Sequence, residues 1–428
     1  MSFVKKSIFN TFGMGVHTVV NIVISIILAR ILKPEGVGKY QLLISTATIA
    51  GAIGGLGLGN ACIYFINSKK KNPTLVSSMS FRVSMISGLA IGILLIIILH
   101  SEDYFGFLSR HVIFIAAGYG VSVLFMENLY PLLLVTFQVK KNIIVKLIPR
   151  ISFLLFIIVG FRFGRLTVDV ALMYAAVGMV LGVGLLVWYV REWISMRVKT
   201  DYGELKALAS YGSKLNLSYV VLLLNGQIGL LIIRYFLPDD FSQVGYYSRA
   251  MNVCSILLVV ASAIGPLLHS KWSSVDSVTR QLQMERTSRV LCLFLGLALI
   301  TLEPFSHVII VTLYRIEFSP AVPMMRILLI GIGARFLLNP LLQLFASGGK
   351  PLYASLILVL NLVLMVVLMI FLVPSYGGVG ASIAFSISNF LGLLMAFFLS
   401  FRRFGIRPLS CLVVNWEDFK YFFRAIKL

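Results

Sequence analysis

The chain has 428 residues, is 59% hydrophobic and 12% charged, and carries 37 Lys and Arg against 16 Asp and Glu; its mean hydropathy is +0.96. This composition lies far outside that of soluble globular domains and makes a bilayer the solvent. The basic excess does not mark a nucleic-acid binder, because it sits in short segments between apolar runs, interleaved with aromatics that suit a headgroup region.

Taken in chain order, apolar runs long enough to cross roughly 30 Å of hydrocarbon as helices are expected near 8–31, 40–66, 78–100, 111–137, 143–161, 168–190, 208–236, 244–270, 289–313, 322–346, 352–373 and 378–401. The first lacks a small-residue cleavage site and is followed at once by another span, so it reads as a retained helix rather than a signal peptide. The fifth is the weakest, because Lys146, Pro149 and Arg150 intrude on its first turns. Connections on the side of the N-terminus, with both termini, hold most of the Lys and Arg, including Lys69-Lys70-Lys71, Lys140-Lys141 and Arg402-Arg403. Acidic residues divide evenly between the two sides. The positive-inside rule therefore puts both termini in the cytoplasm. The tail 403–428, with Trp416, Phe419, Tyr421, Phe422 and Phe423 among basic residues, reads as an interfacial segment on the cytoplasmic leaflet. Cys62, Cys254, Cys292 and Cys411 stand singly, without metal-site or disulfide spacing, and read as packing residues.

An internal repeat is legible at two helix ends. Ala29-Arg30-Ile31-Leu32-Lys33-Pro34-Glu35 closes the first span as Ile233-Arg234-Tyr235-Phe236-Leu237-Pro238-Asp239 closes the seventh. Val37-Gly38-Lys39-Tyr40 then opens the second as Val244-Gly245-Tyr246-Tyr247 opens the eighth. Each Pro is expected to stop its helix and push the preceding residue out of helical geometry, and each Gly to let the following turn form. The expected organisation is a six-helix bundle at 1–190, a cytoplasmic linker at 191–207, a second six-helix bundle at 208–402 and the tail. Six is even, so the halves relate by an axis along the membrane normal, as in transporters that rock one half against the other.

Leu28 to Tyr40, read as Leu-Ala-Arg-Ile-Leu-Lys-Pro-Glu-Gly-Val-Gly-Lys-Tyr, resembles the opening signature of the bacterial polysaccharide flippases, the O-antigen translocases. Ile309 to Pro323 is similar to that family's segment between helices nine and ten, and Leu344 to Pro351 to the small basic turn after helix ten. The resemblance implies an all-α polytopic membrane protein of the multidrug/oligosaccharidyl-lipid/polysaccharide exporter fold. About twelve transmembrane helices would form two six-helix bundles around a central cavity open to one side at a time. It also implies the substrate, an undecaprenyl-diphosphate-linked oligosaccharide, a bacterial inner membrane location, surrounding lipids and other polysaccharide assembly proteins as partners, and no cofactor.

An ionisable side chain within a span costs several kcal/mol unless it snorkels, pairs or faces water, so each is a functional candidate. Arg335 lies in the middle of the tenth span, in Ile332-Gly333-Ala334-Arg335-Phe336, flanked by small residues that leave room for a cavity; the competing reading pairs it with Glu127 or Glu303. Lys214 and Arg82 lie in the first turns of spans seven and three and could snorkel instead. By resemblance, Arg30 and Arg249 align with arginines that the lipid II flippases turn toward their cavity. A third such arginine has no counterpart, since Gly54-Gly55-Leu56-Gly57-Leu58-Gly59 stands in its place, which disfavours lipid II itself. The five basic residues are the candidate substrate-binding set, because guanidinium groups stay charged and fork onto phosphate oxygens. Glu127 and Glu303 are the candidates for ion coupling, against salt bridges or water-facing helix ends. His17, with Asn10 and Asn21, forms a polar stripe on the first span that also fits helix–helix hydrogen bonding.

Two other functions compete. A multidrug cation antiporter of the same fold would need acidic cavity groups, which the basic ones outnumber. A membrane glycan polymerase or ligase would need an external catalytic loop. Here the external connections are short, and there is no nucleophile with a neighbouring base, no metal-ligand cluster and no nucleotide-binding Gly-rich loop.

Overall fold

The computed structural model describes residues 3–67, 69–101, 105–135, 139–164, 166–195, 202–273 and 275–412. Among them every regular element is helical: α1 Phe3–Gly54, α2 Leu58–Asn67, α3 Pro73–Leu99, α4 Arg110–Val135, α5 Val139–Arg162, α6 Val168–Val190, α7 Tyr202–Phe236, α8 Phe241–Ser273, α9 Ser277–Leu302, α10 Ser306–Tyr314, α11 Ala321–Ser347, α12 Pro351–Phe404 and α13 Pro408–Leu412, with one-turn 3-10 segments at Arg191–Trp193 and Ile316–Phe318.

Two of these helices are double. Within α1 the backbone leaves helical geometry at Lys33 (φ 58°, ψ 177°), the residue before Pro34, as the steric demand of proline on its predecessor requires. Within α12 the break is Gly377 (φ 55°, ψ −135°), a conformation open essentially to glycine alone. Among the described residues eight helices are long and apolar enough to span a bilayer, and the bent pair α9 and α10 makes a ninth. The two doubled helices cross twice each and α8 adds 33 residues, which gives twelve crossings. The doubtful fifth span is present as α5, with Pro149 inside it.

The ninth span departs from the expected continuous run 289–313. α9 begins at Ser277, ends at Leu302 and meets α10 at a bend of 69°. Pro304 lacks the N–H that would carry the helix through, while Glu303 before it still holds helical geometry (φ −66°, ψ −54°). The second span is also interrupted, at Leu56 and Gly57, both with positive φ. The linker's residues 196–201 and the tail's 413–428, including its aromatic cluster from Trp416 to Phe423, lie outside the described residues.

The chain divides into two compact units, Met1–Gly245 and Tyr246–Leu428. In the first, the core runs through Leu28, Tyr40, Tyr119, Phe153 and Ala175 on α1, α4, α5 and α6. α7 belongs here by packing: Asn216 Nδ2 donates to the Ala52 carbonyl at 3.0 Å, Tyr64 stacks on Tyr211 with ring centroids 4.3 Å apart, and Lys71 pairs with Glu204. A Cβ on Gly212 would lie 2.6 Å from the Leu56 carbonyl oxygen, so the two backbones meet where the second span breaks. On α3, Ile86, Leu89, Ile93 and Ile97 are 59–71% exposed at helical spacing, a stripe that lipid covers. In the second unit, α11, α12 and α13 share a core of Leu338, Leu341, Phe345, Ala396 and Cys411.

The repeated motif meets its own copy. A Cβ on Gly38 would overlap the carbonyl oxygen of Phe241, four residues before Gly245; a Cβ on Gly245 would overlap that of Pro34, four residues before Gly38. Neither glycine has positive φ, so their role is close backbone approach rather than the turn freedom expected of them. The contact is reciprocal, each glycine facing the carbonyl that lies four residues before the other.

Candidate functional site

In the first unit, polar side chains converge from α1, α4, α5 and α7. Pro149 allows α5 to bend while α6 presses on it, since a Cβ on Gly178 would lie 2.6 Å from its carbonyl oxygen and one on Gly182 2.5 Å from its ring. On the same helix Lys146 and Arg150 stand one turn apart, hence on one face. The Lys146 Nζ lies 4.3 Å from the centroid of Tyr130 on α4, a cation–π contact. The Tyr130 hydroxyl is bonded in turn to Asn142 on α5. His17 on α1 lies within electrostatic reach of both Arg150 and Lys146 and accepts from Asn21 Nδ2 at 3.1 Å through Nδ1. The side chain of Asn10 lies outside the description. Glu127, three residues before Tyr130 on α4, accepts from the Tyr219 hydroxyl of α7 at 2.8 Å and acts electrostatically on Lys146.

Of the other expected residues in this unit, Arg82 is half-buried on α3, between Ser80 and Ser84, whose hydroxyl accepts from Asn128 Nδ2 at 2.8 Å. Lys214 is exposed on α7, and Arg30 is exposed at the end of the first crossing. Its repeat partner Arg234 is instead 5% exposed, its guanidinium 4.1 Å from the Phe241 ring centroid, with the Lys39 Nζ 5.0 Å from the same centroid.

In the second unit Arg249 is 2% exposed, with its guanidinium 5.9 Å from the Tyr314 ring centroid. Arg335 is half-buried on α11, within electrostatic reach of the Tyr247 hydroxyl. Its neighbouring glycines do not open space as expected. A Cβ on Gly331 would lie 2.7 Å from Ser386, and one on Gly333 would lie 3.3 Å from Leu295, so both are consumed by helix packing. The pairing of Arg335 with Glu303 is not what the structure shows: Glu303 Oε1 lies 3.5 Å from Arg326 Nε, with both side chains about half exposed. Arg326 Nε also donates to Ser306 Oγ at 2.9 Å, which ties the bend between α9 and α10 to α11.

Sequence reasoning treated Lys146 and Arg150 only as blemishes in a weak span and gave Tyr219 no role. Their signal was present in the i, i+4 spacing of two basic residues inside an apolar run. Tyr219 had no comparable signal, since its partner is 92 positions away.

The description "polysaccharide biosynthesis protein" is that of the family whose model matches residues 3–267. A Shigella flexneri protein named "Putative O-antigen transporter" is 24% identical over 436 residues, which cover 95% of this chain and 99% of that one. Among solved structures, the lipid II flippase MurJ in an inward closed conformation superposes with a TM-score of 0.79 at 13% identity, covering 98% of this chain and 92% of that one. An inward-facing multidrug resistance MATE family transporter of the MOP superfamily gives 0.75 at 12% identity, covering 91% and 94%. At such identities the structural likeness speaks for the fold.

Proposed function

The chain belongs to the polysaccharide biosynthesis protein family, and from that premise we propose that it is a flippase. It would carry undecaprenyl-diphosphate-linked oligosaccharide from the cytoplasmic to the outer face of a bacterial inner membrane by alternating access of its halves 1–190 and 208–402. The observation that carries this reading is the sign of the charge held within the spans. Arg82, Lys146, Arg150, Arg249 and Arg335 lie within the expected spans, whose acidic residues are Glu127 and, at a helix end, Glu303. Cations carried within membrane spans suit an anionic diphosphate. The name of the Shigella relative and the fold shared with MurJ support the same reading, and both termini belong in the cytoplasm by the distribution of Lys and Arg.

Arg30, Arg82, Lys214, Arg249 and Arg335 form the proposed headgroup-binding set. A carrier must release its load, so several contacts that differ between states serve better than one tight trap. The chain acts as a transporter and not as an enzyme, with neither cofactor nor metal. Of the two acidic candidates for ion coupling we retain Glu127, whose donor Tyr219 sits on another helix. Both carboxylates are exposed, but Glu303 already pairs with Arg326 at the bend between α9 and α10.

The second reading, a multidrug cation antiporter, draws on the likeness to the MATE transporter. It is disfavoured by the same charge, because organic cations need carboxylates. A deletion strain should accumulate undecaprenyl-diphosphate oligosaccharide on the cytoplasmic face, relieved by the wild-type gene and not by Arg335→Ala expressed at equal level. Normal translocation of that lipid in the deletion strain would refute the flippase.

A further inference from the structure

We infer that Lys146 and Arg150, with the Tyr130 ring beside them and His17 opposite, form a subsite for a phosphate or diphosphate group inside the first unit, with Glu127 as its internal counter-ion when no anion is bound. The inference rests on the flippase reading only for the source of the anion, a polyprenyl diphosphate headgroup.

Depth is the first reason. From the expected start of the fifth span at 143, Lys146 and Arg150 lie about 4.5 Å and about 10 Å along α5 at 1.5 Å per residue, the second about a third of the way through a hydrocarbon layer of roughly 30 Å. Two cations at that depth are expensive unless they face the protein interior or water. Lys146 is exposed and Arg150 half-buried, so both keep access to open space: the Lys146 ammonium is 4.3 Å from the Tyr130 ring centroid, and both residues lie within electrostatic reach of His17 on α1.

Balance is the second. Glu127 is the acidic group that acts on Lys146, and it is held by the Tyr219 hydroxyl at 2.8 Å. Lys146 and Arg150 against Glu127 leave one net positive charge. A phosphate monoester or diphosphate is the matching anion, because an ammonium and a guanidinium one turn apart can each take a different oxygen. The hydroxyl and amide groups around them, Tyr130, Asn142 and Asn21, supply further polar contacts, and the aromatic ring stiffens the lysine. The Glu127–Tyr219 bond also links α4 to α7, so displacement of Glu127 by an incoming anion would loosen a contact that holds α7 in place.

The test uses full-length protein in lipid nanodiscs and calorimetric titration with farnesyl diphosphate, inorganic pyrophosphate and farnesol. Lys146→Gln and Arg150→Gln should each weaken farnesyl diphosphate binding by about tenfold, the size of a lost charged hydrogen bond. Lys146→Arg, which keeps the charge, should stay within about threefold of wild type on the same scale. Glu127→Gln, which keeps an acceptor for Tyr219 but removes the counter-ion, should tighten binding by about threefold or more, a gain that misfolding cannot imitate. Farnesol should not bind in the same way. Pyrophosphate that binds as tightly as farnesyl diphosphate, with the same response to the variants, supports the anion site and identifies its ligand as a soluble ion. Glutamine variants that bind like wild type, Lys146→Arg as weak as Lys146→Gln, or wild type that binds neither diphosphate would overturn the subsite. The flippase reading is judged separately by lipid accumulation in cells, so either can fail alone.

Discussion

Glu127 and Glu303 look alike in a hydropathy plot, yet their surroundings separate them. Glu303 sits at a proline-made helix end and shares Arg326 with Ser306, while Glu127 meets a tyrosine from a distant helix. Local sequence explains the first, because Pro304 is adjacent; nothing local announces the second. Asp276, between α8 and α9, is a residue whose role can be read and tested directly. Its carboxylate accepts from Thr279 and Val278 as an N-cap, and these bonds hold its pKa below the usual carboxylate value. A depressed folded-state pKa contributes stability above the unfolded value, near 4, which is lost as pH falls through the folded one. Asp276→Ala should therefore melt below wild type at neutral pH in detergent, with the gap closing as pH drops below about 4. A gap that stays constant with pH would show that the cap is not ionic.

Among the elements, the glycines sort by what they touch. Gly38 and Gly245 stand where the repeat meets itself, and a methyl on either must push a backbone carbonyl away. Gly38→Ala and Gly245→Ala should each cost about 2 kcal/mol, within the range for overpacking, visible as a lowered melting temperature of the purified protein. Gly184, inside α6 with nothing within 4 Å of its would-be Cβ, gives the opposite sign: Gly184→Ala should be neutral or gain up to about 1 kcal/mol from helix propensity. The sequence showed that Gly38 and Gly245 were equivalent but offered turn freedom as the reason. Turn freedom and close approach leave the same residue in a sequence, and only the position of the facing carbonyl tells them apart.

For the whole molecule, the Lys and Arg asymmetry makes a prediction that packing does not. Single cysteines introduced at Lys70 and Ser410 in a cysteine-free background should be shielded from a membrane-impermeant maleimide in intact cells, and one at Ser319 labelled; the reverse pattern would invert the topology. The number of crossings, their approximate limits and the break before Pro34 were all legible in the sequence. Each depends on an interaction that is local along the chain or on transfer of a continuous segment into hydrocarbon, and both are read residue by residue. The broken ninth span had a local signal too, since Glu303, read as an ion-coupling candidate against a water-facing helix end, stands directly before Pro304. What only the tertiary structure decided is which faces meet. It placed α7 with α1 and α2, spent Gly331 and Gly333 on packing, and brought Lys146, Arg150, Tyr130, His17 and Glu127 to one place. Helices in a bilayer are mutually apolar on nearly every side, so hydropathy cannot say which side faces a neighbour. That choice is made by shape and by a few polar contacts between residues far apart in the chain.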